Sequence, residues 1–395
     1  MKTRVILTIG TNELPCLIAG RRLYEACRDR DGEAPDFLVL YSKEVRKRME
    51  RVRSFLAKKL QVTLASNSPE WRELEIDAVD PQSIFRRVLD EVSRKPGYKL
   101  GYDAYHLHHT GGTTAMGVYT MQALLDFPGR EYRVESSYLD AGGRRLRSME
   151  LDGLPSDERR EWDLTLEQLA ELRGYRTTFY KPRPAQDNRP VRAESGSQRS
   201  IRTPDPEAVA DAHEKVRKWL SQPQPTETSG NFNGREFELF VNEELARVLR
   251  TEGDGTAERV YTKVYFARSD PAKEDFEIDV IAVLGYELVV ISCTTSDTPA
   301  KRKVKVVEAW HRARQIGGDQ ARVILACSSM SEADHDDLRR PSFLQSELRF
   351  ETSFRDEEFR DEPMRIMGLE DLRQFGKLLQ DYVTDADHGL NWKIP

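Results

Sequence analysis

The 395-residue chain has few of the features that would assign it at once to a specialised class of protein. None of its four cysteines belongs to a C-x-x-C pair, so we expect reduced, buried thiols in a cytoplasmic protein rather than a disulfide framework or a zinc site. They are Cys16, Cys27, Cys293 and Cys327. No stretch reaches the roughly 18 apolar residues that a membrane-spanning helix needs, so we expect no membrane partner. The opening MKTRVILTIG is predicted to be a strand and not a signal peptide, because its apolar run is short.

An excess of positive charge is also missing. Lysine and arginine number 61 against 67 aspartate and glutamate, which gives a net charge of −6. This balance excludes a uniformly basic nucleic-acid-binding protein, although charge can still be arranged locally. With 38% hydrophobic and 32% charged residues, the composition is typical of a globular chain that is long enough for two or three domains.

Residues 1–150 alternate between strand and helix patterns, which predicts a Rossmann-like α/β domain with a parallel sheet between two layers of helices. The predicted strands are 5–10, 37–42, 74–79 and 104–109, and the helices that follow them are 15–28, 44–60, 83–95 and 114–127. A hairpin over 131–140 and 144–152, turning at residues 141–143, is predicted to end the domain. In such a sheet the strand-to-helix turns share one edge, where ligands bind.

Two of these turns are rich in glycine, threonine and amide side chains. The stretch LHHTGGTTAMG at 107–117 places Thr110, Gly111, Gly112 and Thr113 before a helix, where backbone N–H groups suit a phosphate. It matches neither a Walker loop nor G-x-G-x-x-G. The other candidate ligand-binding residues at this edge are Gly10, Thr11, Asn12, Ser42, His109 and Met116. The alternative is that glycine and threonine only make tight turns and cap helices.

Residues 151–229 are predicted to be a helical linker region. A short helix over 164–174 has Asp163 or Thr165 as its cap, and a second helix covers 206–220. The polar stretch 186–205 lacks apolar periodicity and is predicted to be an exposed linker.

Residues 230–395 follow the element order of a metal-dependent nuclease fold. A helix over 234–249 precedes three strands, a helix and a fourth strand, and a closing helix is predicted over 365–383. The three strands are 260–268, 276–285 and 287–296, the second helix is 303–317 and the fourth strand is 321–329.

Nuclease chemistry in such a fold needs carboxylates that hold Mg²⁺ or Mn²⁺, and usually a lysine. Asp279 interrupts an apolar strand and Glu238 lies on the opening helix, so these two are the predicted catalytic and metal-binding residues. The third strand has Ser292 and Thr294 where a carboxylate and a lysine are expected. Lys305 and Glu308 share one face of the next helix and are candidates for a relocated lysine and carboxylate. The alternative is a solvated helix face with ordinary ion pairs.

The chain resembles the CARF-domain nucleases, in which a CRISPR-associated Rossmann fold is joined to a C-terminal PD-(D/E)XK restriction-endonuclease-like domain. The family's typical Asn-x-Thr-Gly-Gly-Thr-Lys-x-Met stretch aligns with residues 108–116, with His108 and Thr114 at its Asn and Lys positions. His108, His109 or Lys43 is a candidate substitute for the absent lysine. The resemblance covers the chain except for its linkers.

The resemblance implies a homodimer that binds cyclic oligoadenylate, in particular cyclic tetra-adenylate, and then cuts DNA or RNA in type III CRISPR antiviral defence. Two other functions stay open. The chain is alternatively a sensor whose nuclease domain is degenerate, given Ser292 and Thr294, or a ring nuclease that degrades its own activator. His106 and His108 share a strand face as two zinc ligands would, but no third ligand is evident.

Overall fold

The computed structural model describes residues 2–93, 102–127, 131–139, 146–148, 164–179, 205–222, 232–251, 260–268, 275–285, 287–318, 321–329 and 364–384. The chain divides into two compact units, Met1–Glu161 and Trp162–Pro395. Each unit contains one six-stranded sheet interleaved with helices. The predicted two-domain α/β fold class is confirmed.

The first unit is a doubly wound sheet. Its elements are β1 (Thr3–Ile9), α1 (Leu14–Asp31), β2 (Asp36–Tyr41), α2 (Arg46–Leu60), β3 (Trp71–Glu75), α3 (Pro81–Ser93), β4 (Ala104–His108), α4 (Thr114–Leu125), β5 (Arg133–Leu139) and β6 (Leu146–Ser148). The strand order is β3-β2-β1-β4-β5-β6, with the first five parallel and β6 antiparallel to β5. This is the Rossmann strand order, and the order reverses between β1 and β4, which is where such sheets bind ligands.

The central strands form because their residues are apolar on both faces. Every residue of β1, β2 and β4 is buried, as expected for parallel strands covered by helices on both sides. The predicted hairpin of β5 and β6 is confirmed, while its turn at 141–143 lies outside the described residues.

The prediction for the third strand is wrong by several residues. The strand was expected over 74–79, but β3 is Trp71–Glu75, with Trp71 and Leu74 packed into the core. Two charged residues separate these two and a third follows, so the stretch lacks the alternating pattern of a strand. The apolar stretch that suggested the later position is a turn in which Val79 is 79% exposed.

The second unit has a mixed sheet in the order β12-β11-β10-β9-β8-β7. Its elements are α5 (Leu166–Leu172), β7 (Arg176–Phe179), α6 (Pro206–Leu220), α7 (Gly234–Thr251), β8 (Val260–Ala267), β9 (Phe276–Leu284), β10 (Glu287–Thr294), α8 (Pro299–Gly317), β11 (Arg322–Cys327), β12 (Met364–Met367), α9 (Leu369–Arg373) and α10 (Phe375–Thr384). The predicted helix, three-strand meander, helix and strand are confirmed as α7 to β11.

The region 151–229, predicted to be a linker, contributes to this second sheet. Its short helix α5 is capped by Thr165, one of the two predicted caps, and the next element, β7, pairs antiparallel with β8. The polar stretch at 186–204 lies outside the described residues.

The predicted closing helix over 365–383 begins too early. Met364–Met367 instead forms β12, a strand parallel to β11, and the chain becomes helical only after Gly368. Three of its four residues are buried, so pairing with β11 gives these apolar side chains a core position. Within the described ranges, no helix is both long enough and apolar enough to cross a bilayer.

Candidate functional site

The two glycine-containing turns of the first unit lie against each other. They follow β1 and β4, which are neighbours, and the Gly10 N–H donates to the Gly111 carbonyl oxygen at 2.7 Å. A methyl group at Gly111 would lie 2.0 Å from Cys16 Sγ and 2.5 Å from the Thr8 carbonyl oxygen. The close approach of the backbones therefore requires glycine, whether or not a ligand binds there.

The hydroxyl groups of the second turn have structural partners. Thr113 Oγ1 caps α4 by accepting from the Met116 N–H at 3.2 Å, and it donates to the Ala78 carbonyl oxygen at 3.0 Å. Thr110 Oγ1 accepts from the Leu139 N–H at 2.7 Å. In the first turn, Asn12 accepts from the N–H of Leu14 at 3.3 Å. Capping and turn formation account for these contacts, and ligand binding by the same residues stays a prediction.

Replacing Thr113 by alanine should lower the free energy of unfolding by about 1 kcal/mol, because α4 loses its N-cap. Thr113→Ser keeps the hydroxyl and should restore most of this loss. Urea denaturation followed by circular dichroism measures both. Equal stability of Thr113→Ala and the wild type would contradict the cap.

A cleft of about 550 Å³ opens at the ends of β2 and β3. Ser42, one of the predicted ligand residues, lines it together with Lys43 and Arg87. Ala78, to which Thr113 donates, also belongs to the lining. The volume is within the range of ligand pockets, and hydroxyl, ammonium and guanidinium donors are groups that bind phosphate. The lining also includes the acidic residues Glu44, Glu75 and Asp77.

A buried ion-pair cluster that the sequence reasoning missed supports the first turn. The Glu13 carboxylate is completely buried and pairs with Arg51 at 2.7 Å and with Arg48 at 3.4 Å. Arg48 also donates to the Thr11 carbonyl oxygen. Two arginines of α2 thus hold the turn after β1, and the basic character of that helix was the available signal.

The histidines of β4 are core residues. His106 lies within hydrogen-bond distance of Glu135 at 3.2 Å and of Ser137 at 2.9 Å, and His108 lies 3.2 Å from the same serine hydroxyl. His109 is exposed, with its ring centroid 6.2 Å from that of Tyr138. Of the three, only His109 reaches the surface.

Burial lowers the pKa of His108 from 6.5 to about 3, and the neighbouring His106 and His109 add to this effect. The unfolded chain therefore takes up the proton first, and stability is lost as the pH falls below 6.5. Relative to His108→Gln, the wild type should lose about 1.4 kcal/mol per pH unit between pH 6 and pH 4. Urea denaturation of both proteins across this range measures the difference. Parallel pH profiles would mean that His108 is protonated in the folded protein.

In the second unit, side chains from three elements meet around Asp279 of β9. Asp279 Oδ2 accepts from Ser292 Oγ at 3.0 Å and from the Cys293 N–H at 2.8 Å, both on β10. Glu238 of α7 is 3.5 Å from the Lys263 ammonium of β8. The β8–β9 register, Thr262 with Val280 and Val264 with Ile278, puts Lys263 opposite Asp279.

The Glu238 carboxylate lies within the electrostatic reach of Asp279. Burial and the Asp279 charge raise the pKa of Glu238 to about 7, although Lys263 acts in the opposite direction. Burial and both carboxylates also raise the pKa of Cys293 well above its usual value. The predicted pair Glu238 and Asp279 is therefore brought together, while Ser292 serves as a hydrogen-bond donor to it.

The other predicted residues have different surroundings. The Glu308 carboxylate lies 3.5 Å from Arg312 one turn further along α8, which is the ordinary helix ion pair considered above. Lys305 is near enough to oppose the raised pKa of Cys293. Thr294 is buried and accepts from the Ser296 N–H at 3.2 Å. Relocation of the site to α8 stays a prediction.

Lys263 was not among the predicted residues. It interrupts the apolar strand VYTKVYFA just as Asp279 interrupts FEIDVIAVL, and this is the signal that could have found it. Its connection to Asp279 depends on the register of two strands, which the local sequence does not specify.

In the part of the chain that the structure describes, no group of three or more His, Cys, Asp and Glu side chains is arranged to hold a metal ion. Glu238 and Asp279 are two carboxylates and therefore do not by themselves form such a group. They still provide the hard oxygen donors that Mg²⁺ and Mn²⁺ take from proteins, often together with water and substrate phosphates.

No model of a known protein family matches this chain, and no curated protein matches it. The crystal structure of protein VC1899 from Vibrio cholerae is similar over 97% of this chain and 98% of that one, with a TM-score of 0.59 and 12% sequence identity. At that identity the similarity shows the α/β fold alone.

Two other structures match less well. An S. aureus MnaA–UDP structure has a TM-score of 0.27 and 9% identity over 95% of this chain and 71% of that one. UDP-GlcNAc 2-epimerase from Neisseria meningitidis bound to UDP-GlcNAc has a TM-score of 0.29 and 10% identity over 100% and 95%. These superpositions are too poor to support an argument about this chain.

Proposed function

We propose that this chain is a metal-dependent endonuclease that is switched on by cyclic oligoadenylate, with cyclic tetra-adenylate as the expected activator. The observation that carries the proposal is the meeting of Glu238, Asp279 and Lys263, from a helix and two strands, in the second unit. Phosphodiester hydrolysis needs carboxylates to hold a divalent cation and positive charge to stabilise the phosphate in the transition state.

Glu238 and Asp279 are the residues that would hold Mg²⁺ or Mn²⁺. The raised pKa of Glu238 reflects first its burial and second the charge of Asp279, and a divalent cation would relieve the repulsion between the two carboxylates. When bound, such an ion supplies Lewis-acid activation of water and neutralises charge on the phosphate. Ser292 and the Cys293 N–H fix the Asp279 carboxylate in position through two hydrogen bonds to one oxygen.

The first unit is the proposed sensor. Its two glycine turns and the cleft that contains Ser42 and Lys43 lie at the edge of the sheet where Rossmann-like folds bind nucleotides. In the proposed homodimer two such units share one ring of adenylates. The activator shifts the protein toward its nuclease-active conformation only if it binds that conformation more tightly than the inactive one. DNA or RNA is the proposed substrate, in type III CRISPR antiviral defence.

A second candidate function rests on β10. Ser292 and Thr294 are buried hydroxyl residues at the positions where a carboxylate and a lysine are expected. A chain with this substitution is alternatively a cyclic oligoadenylate sensor whose nuclease-like domain does not cut.

One experiment separates these functions. Plasmid DNA and labelled single-stranded DNA and RNA are incubated with the protein and Mn²⁺, with and without cyclic tetra-adenylate, whose integrity is followed in the same samples. Cutting only with the activator is the expected result. Tight calorimetric binding of the activator without cutting would favour the sensor. Loss of the intact ring would identify a ring nuclease.

A further inference from the structure

We infer that Lys263 supplies the catalytic ammonium group that the third strand of the meander lacks. The inference rests on the proposed nuclease function and concerns the same site. It is carried by three observations: the partners of Lys263, the backbone conformation at Lys263, and the surroundings of the alternative positions for a lysine.

Lys263 pairs with one of the two predicted metal-binding carboxylates and lies opposite the other in the strand register. Its ammonium is 3.5 Å from Glu238 Oε2, and the strand register puts it directly opposite Asp279. On the other side of Asp279, the Ile291–Val280 pair of β10 and β9 puts Ser292 next to Asp279. Lysine, aspartate and serine thus form one row across three strands.

The backbone at Lys263 departs from that of an ordinary strand. Its φ is +50°, in the left-handed region that residues other than glycine seldom adopt. The ladder pairs Thr262 with Val280 and Val264 with Ile278, and the irregular residue lies between these two pairs. Irregular strand positions of this kind occur often beside active sites, where they redirect a side chain.

The alternative positions for the lysine are less suitable. Thr294, at the expected position, is a buried hydroxyl that accepts from the Ser296 N–H. Lys305 is on α8 and shares a helix face with Glu308, whose carboxylate pairs with Arg312. The Lys263 side chain is 29% exposed and that of Glu238 is 15% exposed, so the lysine is accessible from solvent. A phosphate that enters from solvent can therefore meet it.

In the proposed step, the oxygen of water forms a bond to phosphorus while the bond from phosphorus to the leaving sugar oxygen breaks. The attacking water gives its proton to a solvent base, and the leaving oxygen takes a proton from solvent. Lys263 takes no part in these proton transfers and stabilises the charge that accumulates on the non-bridging phosphate oxygens. It therefore acts by its charge, and an external amine should partly replace it.

The test compares cleavage of labelled single-stranded DNA by the full chain and its variants, with Mn²⁺ and cyclic tetra-adenylate. Lys263→Met should cut about 100-fold more slowly, and ethylammonium should restore part of the rate. Lys218→Met, at an exposed lysine of α6, is the matched control and should cut at the wild-type rate. Calorimetry of Mn²⁺ binding gives a readout apart from activity: Lys263→Met should bind Mn²⁺ as tightly as the wild type or more tightly, since a repelling charge is removed.

Three results would overturn the inference. A Lys263→Met rate within about threefold of wild type, with Lys305→Met inactive, would assign the role to α8 and leave the proposed nuclease intact. Mn²⁺ binding about tenfold weaker in Lys263→Met would mean that the lysine only keeps the carboxylates in place. A wild-type chain that binds the activator but cuts no nucleic acid would overturn the proposed function, and the inference with it.

Discussion

Replacing Asp279 by asparagine should slow nucleic-acid cleavage by about 100-fold or more while leaving the fold and activator binding unchanged. The substitution is nearly isosteric. Both described hydrogen bonds to Asp279, from Ser292 Oγ and the Cys293 N–H, end on a single oxygen, Oδ2. An amide oxygen can accept both. What the variant loses is the negative charge, which is what a divalent cation beside Glu238 requires.

The matched control is Asp211→Asn, at an exposed carboxylate of α6. Initial rates on labelled single-stranded DNA with Mn²⁺ and cyclic tetra-adenylate should match the wild type for this control. Calorimetry with the activator should give the same affinity for all three proteins, since the activator is proposed to bind the other unit. Unchanged cleavage by Asp279→Asn would remove the predicted site from the chemistry.

Much of the fold follows from hydrophobic patterning. The buried strands β1, β2 and β4 are continuous apolar runs between helix patterns, so their number and parallel arrangement follow from the sequence. The two errors have a physical cause. In β3 the core contacts come from Trp71 and Leu74 among charged residues, and in β12 a short apolar run directly precedes a helix. The local sequence pattern does not show that these segments are strands, because their strand conformation depends on pairing with a strand that is distant in the sequence.

Part of the candidate site could likewise be predicted from the sequence, and part could not. Asp279 could be predicted because burying a carboxylate between Ile278 and Val280 in a strand is costly unless the charge is paired or serves a function. Lys263 could not, because it lies opposite Asp279 only through the register of a strand pair. The prediction placed the relocated lysine on the next helix in sequence, whereas the described ammonium nearest the carboxylates comes from the preceding strand.

Gly111→Ala should be the most destabilising of the substitutions considered, with a loss of about 3 kcal/mol or more in the free energy of unfolding. The added methyl group would lie 2.0 Å from Cys16 Sγ and 2.5 Å from the Thr8 carbonyl oxygen. Neither neighbour can move easily. Thr8 belongs to the buried strand β1, and the Cys16 thiol donates to that same carbonyl oxygen at 3.1 Å.

This prediction also separates the two interpretations of the Thr-Gly-Gly-Thr turn. If the glycine serves only to let a ligand approach, Gly111→Ala should fold with wild-type stability and lose affinity for cyclic tetra-adenylate. If it serves the contact between the turns after β1 and β4, the midpoint of urea denaturation should fall sharply. Gly234→Ala is the control, because a methyl group there meets nothing within 4 Å, and its midpoint should stay close to that of the wild type. We expect the loss of stability, since the Gly10 N–H already uses the Gly111 carbonyl oxygen to join the two turns.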